Sequence, residues 1–207
     1  MARYFTADLH VEHHRIIELC DRPFTDAAHM LAVLEANWRR TVGVADDVYL
    51  LGDISMGDTI SGLARLSALP GNKFLVPGNH DKCFPGRRDH LEWVPRYEAA
   101  GITVLDTEIS LEIAGVDVTV CHFPPAGDSR GHRDRYAQWR PVDGGWVVHG
   151  HVHERWLARG QWINVGVDVW DFTPVHEDTL AELIAGGLAA TAHPGTVTGD
   201  TTQPSER

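Results

Sequence analysis

Trp146-Val147-Val148-His149-Gly150-His151-Val152-His153 is the stretch from which the fold can be read. Trp146 to Val148 make a short apolar run of the strand type, and Gly150 then frees the backbone in front of two imidazoles. The same pattern occurs four times upstream. Arg3 to Ala7 leads into Asp8-Leu9-His10, and Val48 to Leu51 into Gly52-Asp53. Phe74 to Val76 leads into Gly78-Asn79-His80-Asp81, and Val116 to Val120 into His122. A side chain that follows a strand stands at the edge of a sheet, so the five edges are expected to converge on one point. Asp8 and His10, like His151 and His153, lie two apart, a spacing that points both side chains the same way if the segment is extended.

Working outward, Thr25 or Asp26 is expected to cap a helix running to about Arg40, with Ala27, Leu31, Leu34 and Trp38 on one face. Asp58 reads as the cap of a second helix through Leu69. Val48 to Leu51 is apolar throughout, the mark of a strand buried on both faces. After about Gly101 the texture changes to short strands: Ile102 to Leu105, Ile109 to Ile113, Val116 to Val120, Trp146 to Val148 and Trp162 to Val165. Arg159-Gly160 makes a hairpin turn before the last of these. Leu180 to Ile184 is a final helix stopped by Gly186-Gly187. A strand–helix alternation followed by a strand-rich half predicts an α/β fold with two sheets face to face and helices outside. One domain over 1–187 is expected, followed by a disordered tail over 188–207 that is rich in Thr, Gly, Pro and Ser.

The net charge of −11 repels polyanions, which excludes broad electrostatic binding to nucleic acid. A small anion is still admissible, because two bound divalent ions add about four positive charges at one spot. No stretch approaches the roughly 18 apolar residues of a membrane helix, and a strand beginning by Tyr4 leaves no room for a leader peptide. Cys20, Cys83 and Cys121 show neither zinc-finger nor disulfide spacing, so a cytoplasmic location is expected.

The five clusters carry seven candidate metal ligands: Asp8, His10, Asp53, Asn79, His122, His151 and His153. Their mixed nitrogen and oxygen donors suit manganese first, then iron or zinc, and two such ions are expected. Ions about 3.5–4 Å apart can hold a hydroxide between them and grip a phosphate ester. His80 stands next to Asn79 and is the candidate general acid, with Asp81 or Asp58 to orient it. His13 is a candidate phosphate contact, and Arg22 is either a substrate contact or half of an ion pair. His149 reads as packing. Ser129 to Arg140, with four arginines, reads either as a lid over the substrate or as a solvated loop.

In this order the clusters resemble the calcineurin-like metallophosphoesterases, and in particular their small bacterial and phage branch. Asn164-Val165-Gly166-Val167-Asp168-Val169-Trp170 is similar to that branch's own signature. The resemblance covers roughly residues 3 to 185. It implies a four-layer α/β/β/α sandwich of two mixed sheets with flanking helices. It further implies Asp8, His10 and His153 on one ion, Asn79, His122 and His151 on the other, Asp53 bridging, and His80 as acid or phosphate contact. One departure stands out. Protein phosphatases of the superfamily carry Asp-Arg-Gly shortly after the bridging Asp, and here the stretch is Ile54-Ser55-Met56-Gly57. Without that arginine, hydrolysis of a small phosphodiester, with a nucleotide among the possible substrates, is favoured over a phosphomonoesterase. A non-catalytic metal-binding scaffold is the remaining alternative, and the presence of His80 disfavours it.

Overall fold

In the computed structural model, residues 1–128, 136–142 and 144–187 are described. The tail 188–207 lies outside them, as do residues 129–135 of the arginine-rich segment. The strands, in chain order, are β1 (Arg3–Thr6), β2 (Asp47–Leu50), β3 (Asn72–Leu75), β4 (Ile102–Val104) and β5 (Glu108–Ile113). They continue as β6 (Val116–Cys121), β7 (Trp146–His149), β8 (Ala158–Arg159), β9 (Trp162–Asn164) and β10 (Val175–His176). The helices are α1 (Ile16–Leu19), α2 (Ala27–Thr41), α3 (Thr59–Ser67), α4 (His90–Ala99) and α5 (Glu177–Ala185).

Two mixed five-stranded sheets with flanking helices result, ordered β10-β1-β2-β3-β4 and β5-β6-β7-β9-β8. In the first, β1 to β4 run parallel and β10 pairs antiparallel with β1. In the second, β6, β7 and β9 run parallel, flanked by antiparallel β5 and β8. Side chains alternate across each strand, which splits the apolar residues into two layers. Tyr4, Val48, Leu50, Leu75 and Ile102 pack with Met30, Leu34 and Trp38 of α2, Leu63 and Leu66 of α3, and Tyr97 of α4. Phe5, Leu51 and Val76 instead pack with Val118, Val120, Val148 and Ile163 of the second sheet, and α5 joins that layer through Leu180 and Ile184. Burying each such side chain contributes about 1.5–3 kcal/mol, so the inter-sheet seam is held tightly where the strands end.

Local sequence explains most boundaries. Asp26 caps α2 by accepting from the His29 N–H at 2.7 Å, and Asp58 caps α3 by accepting from Ser61 N–H at 3.0 Å. The buried stripe of α2 is Met30, Leu34, Asn37 and Trp38, with Ala27 and Leu31 only half-buried at its margin. α5 starts three residues before the expected Leu180, because His176 Nδ1 accepts from Asp178 N–H and caps it. α4 was not anticipated, since Pro95 lies within it and removes one helical N–H. Fully buried Tyr97 anchors that helix, and its Oη accepts from Lys82 N–H at 3.0 Å, tying α4 to the loop after β3. None of the described helices is long and apolar enough to cross a membrane.

Candidate metal centre

Parallel β1, β2 and β3 end at Thr6, Leu50 and Leu75, so Asp8, Asp53 and Asn79 emerge from the same edge of the first sheet. Parallel β6 and β7 do the same for His122 and His151 in the second sheet. Backbone bonds lock these loops together. Asp8 N–H donates to Gly52 C=O, His10 N–H to Asp53 C=O and Gly150 N–H to His122 C=O, each at 3.0 Å. These bonds tie the Asp8-His10 turn to the Asp53 turn, and the turn carrying His151 to His122.

The backbone of these turns departs from the extended form expected for Asp8/His10 and His151/His153. Asp8 (φ 57°), His10 (φ 51°), Asp53 (φ 54°), His151 (φ 72°) and His153 (φ 52°) are all left-handed. β1 stops at Thr6 and β7 at His149, so the two pairs sit in tight turns beyond the strands. Such conformations are uncommon outside glycine, cost about 1–3 kcal/mol each and cluster at functional sites. The residues share a target through a turn that alternates in hand. Gly78 is needed for a different reason: a Cβ there would meet Asp53 N at 2.7 Å and His122 Nδ1 at 2.8 Å. Gly78→Ala is expected to lower stability by about 1–3 kcal/mol through overpacking and to weaken metal binding with it. An unchanged denaturation midpoint would show that this close approach is not required.

Each of the two carboxylates divides its oxygens. Asp8 Oδ2 accepts from His151 N–H at 2.8 Å, and Asp53 Oδ1 accepts from His80 N–H at 2.8 Å. The other oxygens face imidazoles at distances too long for hydrogen bonds. Asp53 Oδ2 lies 3.5 Å from His122 Nε2, 3.8 Å from His10 Nε2 and 3.9 Å from His80 Nε2. Asp8 Oδ1 lies 4.0 Å from His153 Nε2. Asp8 Oδ1, both His10 nitrogens, Asn79 Oδ1 and His122 Nε2 are buried with no hydrogen-bond partner among the described residues. Unsatisfied buried polar atoms are costly, and such atoms on four of the candidate ligands, one ring nitrogen of His10 among them, are what cations would relieve. Two trios, Asp8-His10-His153 and Asp53-His122-His151, each keep their ligand atoms within 4.8 Å of one another, so the residues fit a pair of ions.

The electrostatics agree. Burial opposes the charge on Asp53, but His122, His80 and His10 around it hold its pKa well below the usual carboxylate range. Burial likewise opposes a charge on His122, yet Asp53 raises its pKa to about 9. The negative potential that would keep a proton on His122 Nε2 also attracts a metal ion. His122 Nδ1 is occupied by the Leu51 carbonyl at 2.7 Å, which leaves Nε2 as its ligand atom.

Residues 1–204 match the calcineurin-like phosphoesterase superfamily domain. The chain belongs to that superfamily. It is 37% identical over 191 residues to the gene 66 protein of Mycobacterium phage D29, which covers 84% of this chain and 92% of the phage protein. It is 28% identical over 193 residues to MJ1445 of Methanocaldococcus jannaschii, covering 89% of this chain and 92% of that one. Among solved structures, protein AQ665 of Aquifex aeolicus superposes with a TM-score of 0.66 at 25% identity, covering 88% of this chain and 98% of its own. Membership places the chain in a superfamily of metal-using phosphoesterases.

Around this superfamily centre, other expected residues fall differently. Asp81 does not orient His80. It is fully buried, and its oxygens accept from the N–H groups of Asp53, Ile54 and Gly78 at 2.8, 3.1 and 2.8 Å. Burial and the neighbouring Asp53 raise its pKa to about 7. Asp81 thus pins two ligand loops through their backbones. Asp58 is spent on the α3 cap. Among the described residues no carboxylate hydrogen-bonds the His80 ring, which is 40% exposed at the mouth of the site. Arg22 is not a substrate contact either. Its side chain is fully buried and paired with Asp168 at 2.7 Å, because Asp168 is the acid that enters from the Asn164 to Trp170 tract. His13 does line the site cavity, 5.3 Å ring to ring from His10, and burial with the charges of His80 and Arg22 lowers its pKa to about 4. His149 packs, with Nδ1 on the Gly150 carbonyl at 2.8 Å.

Two carboxylates escaped the sequence reading. Asp128 sits 2.8 Å from His151 Nε2, and Asp168 sits 3.3 Å from His153 Nδ1. Asp168 lay inside a tract already singled out and was its one acid. Asp128 immediately precedes the arginine-rich segment and carried no signal of its own.

Proposed function

We propose that this chain hydrolyses small phosphodiesters with the help of two divalent ions. Asp8, His10 and His153 would hold one ion, Asn79, His122 and His151 the other, and Asp53 both. Manganese suits the mixed nitrogen and oxygen donors best, with iron or zinc next. When bound, the ions activate water and neutralise charge building on the phosphate oxygens. The chain's own groups do the rest. His80 Nε2 hands a proton to the leaving oxygen as the P–O bond to it breaks and a bond from the water oxygen forms. His13, uncharged near neutrality, offers hydrogen bonds at the mouth without adding charge.

The observation that carries the diester reading is the lining of the cavity, ≈ 260 Å³ in volume, that opens onto the centre. Among the described residues its single permanent cation is Arg15, set against Asp128 and Glu154, while Ile16, Leu19 and Met56 supply an apolar wall. Met56 comes from the stretch that in the superfamily's protein phosphatases holds an arginine, so a thioether faces the site. Among the described residues a monoester dianion would find only Arg15 for its extra charge; a diester monoanion has no such need, and its second substituent has apolar surface to lie on. The net charge of −11 favours a small ester, a nucleotide among the candidates, over a polymer. Three buried free cysteines support a cytoplasmic setting.

With manganese-loaded protein, kcat/KM for bis(4-nitrophenyl) phosphate should exceed that for 4-nitrophenyl phosphate by about tenfold or more, the equivalent of about 1.4 kcal/mol of transition-state discrimination. A preference for the monoester would overturn the diester assignment. Failure to cleave either, with both ions bound, would favour the scaffold reading.

A further inference from the structure

The two candidate ion positions are supported by different means. His122 Nδ1 lies on the buried Leu51 carbonyl, and His151 Nε2 on Asp128, which lines the cavity. The Asp8-His10-His153 position rests instead on a buried ion pair. Arg22 Nε and Nη2 reach the two oxygens of Asp168 at 2.7 and 2.9 Å. The same guanidinium donates to the Asp8 carbonyl at 2.7 Å and the Leu9 carbonyl at 3.3 Å. Asp168 Oδ2 in turn lies 3.3 Å from His153 Nδ1. His153, Asp8 and Leu9 thus place this pair against a ligand and a ligand turn of that position, while Met30 Sδ, 3.3 Å from Arg22 Nη1, is a packing contact.

We propose that Arg22 and Asp168 are positioning residues that select for occupancy of the Asp8-His10-His153 position. The inference rests on the two-ion reading above. Asp168 accepts the Nδ1 proton of His153, which fixes the tautomer and leaves the Nε2 lone pair directed at Asp8. Arg22 keeps Asp168 ionised in a dry setting and clamps the carbonyls of the left-handed Asp8 turn. With side chains 0% and 3% exposed, neither touches bulk solvent, so neither needs to meet substrate. Cys20, His153 and Asp168 also stand within 4.8 Å of one another. Both oxygens of Asp168 are already committed to a cation, Arg22, so this trio serves the ion pair rather than a third metal.

The test uses the full chain and Mn2+ alone. The parent protein should bind two ions by calorimetry and show the electron spin resonance spectrum of a coupled pair. Asp168→Asn keeps the shape and removes the charge. It should retain one ion at parental affinity, weaken the other by roughly 10–100-fold, and give the spectrum of an isolated ion at limiting Mn2+. The double variant Arg22→Gln/Asp168→Asn, which leaves no buried charge unpaired, should behave the same way. Lys73→Met serves as the stability control, because it removes a buried ammonium bonded to the Leu69 and Gly71 carbonyls away from the site. It should lower the melting temperature and leave both ions and their coupling intact. Equal loss of both ions in Asp168→Asn, no loss of either, or the same one-ion loss in Lys73→Met would overturn the proposal. A parent protein that binds no Mn2+ would instead remove the two-ion reading and this inference with it.

Discussion

Asp53→Asn is expected to empty both ion positions and to cut phosphoester hydrolysis by on the order of 10³ or more, since metal ions supply several kcal/mol of charge stabilisation. Asp53 Oδ2 is the one oxygen that faces His10, His80 and His122 together. The amide keeps the volume but loses the charge that the surrounding imidazoles need. Elemental analysis after desalting reads the result directly, and a variant retaining both ions would sink the bridging assignment. A second readout needs no metal. His122 has its pKa held at about 9 by Asp53 against the pull of burial. With Asp53 neutralised, burial wins, and His122 should titrate below its ordinary value in a metal-free NMR titration. Stability that the metal-free parent draws from this raised pKa is fully present below the unfolded value of His122 and lost as pH rises towards 9; the variant should lack that window.

His80→Ala has the opposite signature: metal content unchanged, turnover reduced by about 10²–10⁴. The separation is predicted from geometry. His80 attaches to the centre through its backbone N–H, which donates to Asp53 Oδ1 and survives the substitution. Its ring is 40% exposed and touches the rim edge-on at the His10 ring, 5.5 Å between centroids. The loss should grow with the basicity of the leaving group, because a stable aryloxide leaves with little proton help and an alkoxide does not. Equal rates for parent and variant on an alkyl-leaving diester would remove His80 from the chemistry. A fall in metal content would reassign it as a ligand.

Much of the fold was legible in advance because its signals are local. Strand residues followed by Asp, His or Asn mark sheet edges, and Asp26 and Asp58 cap the helices they precede. α4 was missed because Pro95 argues against a helix locally, while buried Tyr97 argues for it only in three dimensions. The fate of Arg22 shows the same limit. A free-standing Arg-Pro-Phe looks available to substrate, and only the arrival of Asp168, 146 residues away in sequence, turns it inward. Asp81 beside His80 looks like its orienting acid. The turn after β3 sends that side chain instead towards three N–H groups of the ligand loops.

By itself, the order and chemistry of the residues determined most of the elements, α4 excepted, where each strand hands over to a ligand turn, and which seven side chains are candidates for holding cations. Those properties depend on neighbours a few positions apart. The tertiary structure alone decided which nitrogen of His122 and His153 is free, which acid serves which imidazole, and that the ligand turns are left-handed. These depend on distances between segments that meet only when two sheets close on each other, and such distances are set by packing rather than by any local preference of the chain.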